Sequence, residues 1–225
     1  MLFADRRDAG RRLAAALLDL PLKDPVVLAL ARGGVPVGFE VARALGAPLD
    51  VVLVRKIGAP GQEELALGAI ADGEQPDLVV DPAIIAALHV SLGYIETAKA
   101  AALQEIERRR RAYLGDRPAL DIAGRTAIVV DDGVATGATT RAALRATRHR
   151  RPARLVLAVP VAPADTLARL ERDVDLAVCL DTPAEFWGVG QFYRDFAQVS
   201  DREVAELLQQ MRGPGPITES REESR

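Results

Sequence analysis

The sequence predicts an α/β fold, with a doubly wound, mainly parallel sheet covered by helices on both faces. Three observations lead there. Short apolar runs rich in valine recur at Val26 to Leu30, Val51 to Val54, Ala127 to Val130, Leu155 to Val159 and Val174 to Leu180, each too brief for a helix and reading as a buried strand. Segments with helical spacing, such as Val35 to Leu45 and Thr139 to Arg148, lie between several of them, an alternation that gives parallel strands joined by crossover helices. A length of 225 residues, 49% apolar and 27% charged, suits one substantial core, hence one domain over residues 1–211 carrying an insertion. Ligands of such sheets lie beyond the carboxyl ends of the strands, so the loops after the apolar runs should hold the chemistry.

In chain order, the first element is a helix from about Arg6 to Leu18, with Ala9, Leu13, Ala16 and Leu17 on one face and Pro21 and Pro25 ending the pattern. Residues 81–117 break the strand–helix rhythm. There Ile95, Ala98, Ala102, Ile106 and Tyr113 form one apolar stripe, which reads as an inserted helical excursion. Glu105 and Glu107 stand four residues before Arg109 and Arg111, so the arginine run reads as a solvated helix surface. Residues 212–225 contain Gly213-Pro214-Gly215-Pro216 and mostly polar residues and are expected to be disordered.

Bulk properties remove several function classes. A net charge of −3 gives no support for nucleic-acid binding, which draws its affinity from clustered cations. No segment reaches the ~20 apolar residues that cross a bilayer, and the first twelve residues lack the apolar core of a signal peptide. Cys179, the single cysteine, cannot form an internal disulfide and reads as a small core residue, in keeping with a reducing cytoplasm. His89 and His149 stand apart in sequence and make neither a metal site nor a triad.

The most informative run is Ala127-Ile128-Val129-Val130-Asp131-Asp132-Gly133-Val134-Ala135-Thr136-Gly137-Ala138-Thr139-Thr140: a buried strand, two carboxylates, a small-residue turn and a helix start. Backbone N–H groups of a glycine-containing loop opening into a helix N-terminus suit a phosphate. Thr136, Thr139 and Thr140 can add hydroxyl donors, and Asp131 and Asp132 can accept from sugar hydroxyls at the rim. The P-loop lysine is missing, and Gly133 and Gly137 do not give the dinucleotide fingerprint. An ordinary turn and capped helix is the plain alternative.

This run resembles the phosphoribosyl-pyrophosphate signature of the type I phosphoribosyltransferases, and Ala31-Arg32-Gly33-Gly34-Val35-Pro36-Val37-Gly38 resembles that family's pyrophosphate loop. Gly33 and Gly34 let the backbone approach an anion, and Arg32 adds a permanent positive fork. The resemblance implies the type I phosphoribosyltransferase fold with a small hood over 181–199. It also implies 5-phosphoribosyl-1-pyrophosphate and a small nitrogenous acceptor as partners, no nucleic acid or membrane, and a dependence on Mg²⁺. The 5-phosphate would lie on Gly133, Val134, Ala135, Thr136, Gly137, Ala138, Thr139 and Thr140. Asp131 and Asp132 would hold the ribose hydroxyls, touching Mg²⁺ through water or those hydroxyls. Arg55 and Lys56 would face the pyrophosphate, and the stretch from Ile57 to Gly73 would be a mobile loop closing over the reaction, with Glu63 or Glu64 as a substitute base. Asp131, Asp132 and Lys56 are then the catalytic candidates. A basic pair entering a hairpin is an equal reading for Arg55, and Lys56 is the better candidate. Five aromatic residues gather between Phe186 and Phe196. Phe186, Trp187 or Tyr193 can stack on an acceptor ring, Trp187 foremost, while Phe192 and Phe196 read as pins to the core.

One departure bears on the acceptor. Members acting on 6-oxopurines carry an aspartate where this chain has Ala135, so a 6-oxopurine is disfavoured. The chain looks most like uncharacterised bacterial phosphoribosyltransferase-domain proteins, and a homodimer stays open. The rival reading is a regulator that binds phosphoribosyl pyrophosphate or a nucleotide without turnover.

Overall fold

The computed structural model describes residues 1–72, 77–80 and 82–211, without the side chains of Glu63, Glu64, Ala66 and Asp77. The expected disorder of 212–225, the substitute base at Glu63 or Glu64, and the ends of the expected loop and excursion at Gly73 and Asp81 lie outside the described residues or side chains. In order the elements are α1 (Arg6–Leu18), β1 (Pro25–Leu30), α2 (Gly34–Leu45), β2 (Leu49–Val52), β3 (Val54–Ala59), β4 (Gln62–Ala71), β5 (Asp77–Val80), α3 (Pro82–Ala87) and α4 (Leu92–Leu114). They continue with β6 (Thr126–Val130), α5 (Ala138–His149), β7 (Arg154–Val161), α6 (Ala164–Leu170), β8 (Leu176–Asp181) and α7 (Asp201–Gln210).

Five strands form a parallel sheet in the order β2-β1-β6-β7-β8. Alternate residues of its inner strands enter two different cores. Val27, Ala29, Ile128, Val130, Val156 and Ala158 pack with α1, α2, α4 and α7. Val26, Leu28, Leu30, Ala127, Val129, Leu155, Leu157 and Val159 pack with α5 and Leu170 of α6. Burial on both faces is why these strands read as unbroken apolar runs. From β1 the chain crosses by α2 to β2, and from β6 it crosses by α5 to β7 on the other side. The neighbouring ends of β1 and β6 therefore diverge, and a crevice opens between them. Edge strand β8 is half-buried along its whole length, so Cys179 is half-buried there rather than in the core interior.

The first helix spans the expected residues. Asp5 caps it by accepting from the Asp8 N–H at 2.7 Å. Its buried face is Ala9, Gly10, Leu13, Ala14 and Leu17; Ala16, expected there, is exposed. Gly10 is the contact with α2, since a Cβ there would stand 2.7 Å from the Val37 carbonyl oxygen.

After Lys56, where a mobile loop and a hairpin were both open readings, the chain forms an antiparallel sheet, β3-β4-β5, whose hairpin turns at Pro60 and Gly61. It is held from two sides: Ile57, Ala59, Leu67 and Ile70 share a core with Ala102 and Ile106 of α4, while Ala69 and Ala71 pack with Ala142, Ala143 and Ala146 of α5. Residues 82–114 carry α3 and α4, and Ala102, Ile106 and Tyr113 of the expected stripe are buried. The pairs Glu105–Arg109 and Glu107–Arg111 form at 2.8 Å. Two arginines of the run also reach acids outside the helix, Arg110 turning inward to Asp72 at 3.6 Å and Arg108 meeting Asp201 at the surface at 3.8 Å.

Candidate active site at the β1–β6 crevice

The loops that leave β1 and β6 touch where the two strands end. A Cβ on Gly33 would lie 2.1 Å from Asp132 Oδ2, and one on Gly34 would lie 2.7 Å from the Val130 carbonyl oxygen and 2.9 Å from Asp131 Cα. Only residues without a side chain fit against the acid pair, so the two glycines close this contact. The Ala31–Arg32 peptide bond just before them is cis. Arg32 lies partly exposed with Nη1 3.7 Å from Asp201 Oδ1 at the start of α7.

Asp131 Oδ1 accepts the Asp132 N–H at 2.9 Å. Burial, and then the neighbouring Asp132 charge, raise the Asp131 carboxyl well above the ordinary carboxylate range. Burial also raises Asp132, against the pull of Arg6. Arg6, from the first turn of α1, donates Nε–H to Asp132 Oδ2 at 2.7 Å, with both side chains almost buried, 11% and 13% exposed. Its Nη1 donates to the Ala197 carbonyl at 2.7 Å, and its guanidinium lies 3.8 Å from the centre of the Phe196 ring. Tyr193 donates its hydroxyl to the Asp132 carbonyl oxygen, and its ring packs 5.0 Å from Phe196 and 5.3 Å from Phe3. The segment after β8 is tied down further by the N-terminal strand: the Phe3 N–H donates to the Phe192 carbonyl, and Arg194 and Asp195 N–H donate to the Phe3 and Ala4 carbonyls.

Beyond the acids the chain turns through Gly133 and Gly137, with φ of 154° and 83°, values that favour glycine. The Val134 N–H is held by the Val161 carbonyl at 2.9 Å. Gly137 leads into α5 with no side-chain cap, so the first-turn N–H groups of this twelve-residue helix keep their donors and its partial positive charge faces the crevice. Thr136 is exposed and Thr139 half-exposed, whereas Thr140, at 2% exposure, is buried. Alongside runs a pocket of about 890 Å³, lined by Ala135 and Thr136, by Pro163 to Thr166 and Arg169, and by Thr182 to Ala184, Phe186 and Trp187.

The family sequence model described as "Phosphoribosyl transferase domain" matches residues 4–196. This chain belongs to the phosphoribosyltransferase family. Two curated Mycobacterium tuberculosis proteins, from strains CDC 1551 and H37Rv and provisionally named phosphoribosyl transferases, are each 47% identical over 207 residues. The match covers 92% of this chain and 46% of theirs, so the chain spans about half the length of these relatives. The crystal structure of TT1426 from Thermus thermophilus is similar at 44% identity with a TM-score of 0.80, covering 94% of this chain and 99% of that one.

In this family member the crevice gathers Gly33, Gly34, Asp131, Asp132 and the turn to α5. The remaining expected residues stand differently. Arg55 and Lys56 lie on β3, both exposed. Trp187 is 89% exposed on the pocket rim, with its N–H held by Gln191 Oε1 at 2.9 Å. Tyr193, named as a stacking candidate, is buried and committed to Asp132, so it is not free to stack. Phe192 is buried in a small cluster with Phe3, while Phe196 serves as the platform for Arg6. Sequence reasoning missed Arg6 altogether. It was visible only as one of four arginines in and around the first helix, 126 residues from its partner.

A Mg²⁺ bound here would find few protein donors. Among the described residues no group of three or more His, Cys, Asp or Glu could hold a metal. Asp131 and Asp132 are two adjacent carboxylates, one of them already paired with Arg6. That fits an ion which keeps several waters and relies on substrate phosphate oxygens, with one or two carboxylates at most.

Proposed function

We propose that the protein transfers the 5-phosphoribosyl group of phosphoribosyl pyrophosphate to a nitrogen acceptor, a nucleobase by class, with release of pyrophosphate and dependence on Mg²⁺. The observation that carries this reading is the convergence of the Gly33–Gly34 loop, the Asp131–Asp132 pair and the uncapped start of α5 in one crevice.

In this reading N–H groups from Ala135 onward, with the Thr136 and Thr139 hydroxyls, grip the 5-phosphate, while the Val134 N–H stays on the Val161 carbonyl. Asp131 and Asp132 accept from the ribose hydroxyls. Arg32, and Arg55 and Lys56 from β3, offset the charge of the departing pyrophosphate. The acceptor nitrogen donates its lone pair to the anomeric carbon as the bond to pyrophosphate oxygen breaks and that oxygen leaves with the electron pair. Mg²⁺, when bound, neutralises the pyrophosphate oxygens. The acceptor in this reading occupies the pocket beside Ala135, a reading supported by Phe186 and Trp187 among its lining residues. Its floor at Ala135 has no carboxylate, and Asp165 on the rim is paired with Arg169 at 2.9 Å, which supports an acceptor other than a 6-oxopurine. A cytoplasmic setting accords with the single cysteine, and among the described residues no helix is long and apolar enough to cross a membrane.

The test is pyrophosphate release from Mg·phosphoribosyl pyrophosphate over a panel of bases and amines, with the double variant Asp131→Asn/Asp132→Asn as control. Release that the double variant abolishes supports the transferase. Mg²⁺-dependent stabilisation by phosphoribosyl pyrophosphate, with no release on any acceptor, points instead to a regulator, and unaltered turnover in the double variant refutes the role given to the acids.

A further inference from the structure

We propose that Arg6 is a positioning residue of this site: it fixes the Asp132 carboxylate for the sugar and ties that carboxylate to the hood, so that acid pair and hood act as one unit. The inference rests on the function proposed above for its ligand, while its structural part stands on the geometry alone. Arg6 is the first residue of α1, and its guanidinium serves three groups together: Asp132 Oδ2, the Ala197 carbonyl and the Phe196 ring face. An arginine supplies all three because its fork is planar, carries several fixed donors and stacks on aromatic rings; a lysine offers a point charge without the plane.

The electrostatics give the arrangement a purpose. Two adjacent carboxylates facing a ligand with several phosphate charges repel it as well as each other. A nearly buried guanidinium beside one of them offsets that repulsion where solvent screens little. It also restricts the motion of the carboxylate, whose Oδ2 lies close against the Gly33 backbone. The same guanidinium reaches the hood backbone at Ala197, and the hood returns to the acid pair through the Tyr193 hydroxyl on the Asp132 carbonyl. Anything that loosens Asp132 therefore loosens the segment 193–197 as well.

The experiment compares wild type, Arg6→Ala, Arg6→Lys, Asp132→Asn and the double variant Arg6→Ala/Asp132→Asn by two readouts. The first needs no ligand: amide hydrogen exchange over residues 192–198. Faster exchange there in Arg6→Ala and in Asp132→Asn, with the β6 and β7 amides unchanged, is expected. Wild-type exchange in both variants overturns the proposal whatever the protein binds. The second is affinity for Mg·phosphoribosyl pyrophosphate by calorimetry. Arg6→Ala is expected to weaken it by roughly tenfold or more, the scale of one charge-assisted hydrogen bond, with part of the loss recovered in Arg6→Lys. The double variant should bind no more weakly than Asp132→Asn alone, because Arg6 acts through that carboxylate. Independent, additive losses overturn the positioning role. A wild type that shows the exchange pattern but binds no phosphoribosyl pyrophosphate sinks the proposed function and leaves the Arg6 tie standing.

Discussion

Replacing Gly33 with alanine puts a methyl group where the crevice has no space. The new Cβ would stand 2.1 Å from Asp132 Oδ2 and 2.6 Å from its Cγ, against a lower limit near 3.0 Å for real contacts. About 0.9 Å of separation must be found. The carboxylate cannot give it freely, because Arg6 holds the same oxygen at 2.7 Å and Tyr193 holds the residue's carbonyl. The α2 backbone cannot give it either, since Gly34 is already packed on Val130 and Asp131. Overpacking of this kind costs about 1–3 kcal/mol. For a chain of this size that lowers Tm by roughly 2–10 °C. The displaced carboxylate should also weaken Mg·phosphoribosyl pyrophosphate binding by about tenfold, the factor that corresponds to 1.4 kcal/mol. Calorimetric melting and ligand titration read the two effects. Gly93→Ala is the control: a Cβ there meets nothing within 4 Å, and in the first turn of α4 alanine should raise stability by about 0.5 kcal/mol. If Gly33→Ala melts with wild type and binds the ligand unchanged, the acid pair does not rest on the glycine loop and the account of the crevice is wrong.

Three further outcomes follow from other parts of the molecule. Asp72 is pushed up to about 6 from 3.8, chiefly by burial and against the Leu53 N–H and Arg110. Its native form thus favours the proton, and the stability this gives is fully present below pH 3.8 and lost as pH rises through about 6. Asp72→Asn should match wild type near pH 4 and exceed it above pH 6 by about 3 kcal/mol at most; urea midpoints that differ equally at about pH 4 and pH 7 contradict this. Trp187→Ala should leave Tm unchanged, because the ring is 89% exposed, and raise the KM for an aromatic acceptor about tenfold, as loss of one ring stack does; steady-state kinetics with varied acceptor decide it. Tyr193→Phe removes one buried donor from the Asp132 carbonyl and should cost about 1 kcal/mol in denaturant unfolding, with no loss expected if that bond is unimportant.

The parts of the fold readable in advance are those whose environment is written into consecutive residues. β1, β6 and β7 are buried on both faces, so valine, leucine and isoleucine run unbroken. The opening helix announces itself through apolar residues three and four apart and the prolines that follow it. The sheet β3-β4-β5 was legible only as the alternative to a mobile loop, a hairpin entered by Arg55 and Lys56. Gly58, Gly61 and Gly68 sit in it, and half of its buried apolar positions are alanines, two of which, Ala69 and Ala71, pack on α5. A Cβ on Gly68 would stand 2.1 Å from the Val79 carbonyl oxygen, so the residue that looked like loop punctuation is where two backbones meet. For the site the same division holds. Asp131 to Gly137 are contiguous and were legible as a unit, and Gly33 and Gly34 were legible as an anion loop although their observed neighbours are the acids. Arg6 and Tyr193 reach Asp132 from 126 and 61 residues away. Contacts of that range leave no local pattern, because the chain between them decides whether they meet.

The crevice is mechanically uneven, and this bears on how such a protein diversifies. On one side glycine backbone, paired carboxylates, arginine and tyrosine interlock, so that a change at one position is felt by all the others. On the other, the walls at Ala135, at Ala164, and at Ala184 with Trp187 come from three separate segments and line open space. In the proposed reading, selection can therefore exchange side chains on the second wall one at a time, altering which acceptor is admitted, while the grip on the donor is inherited intact.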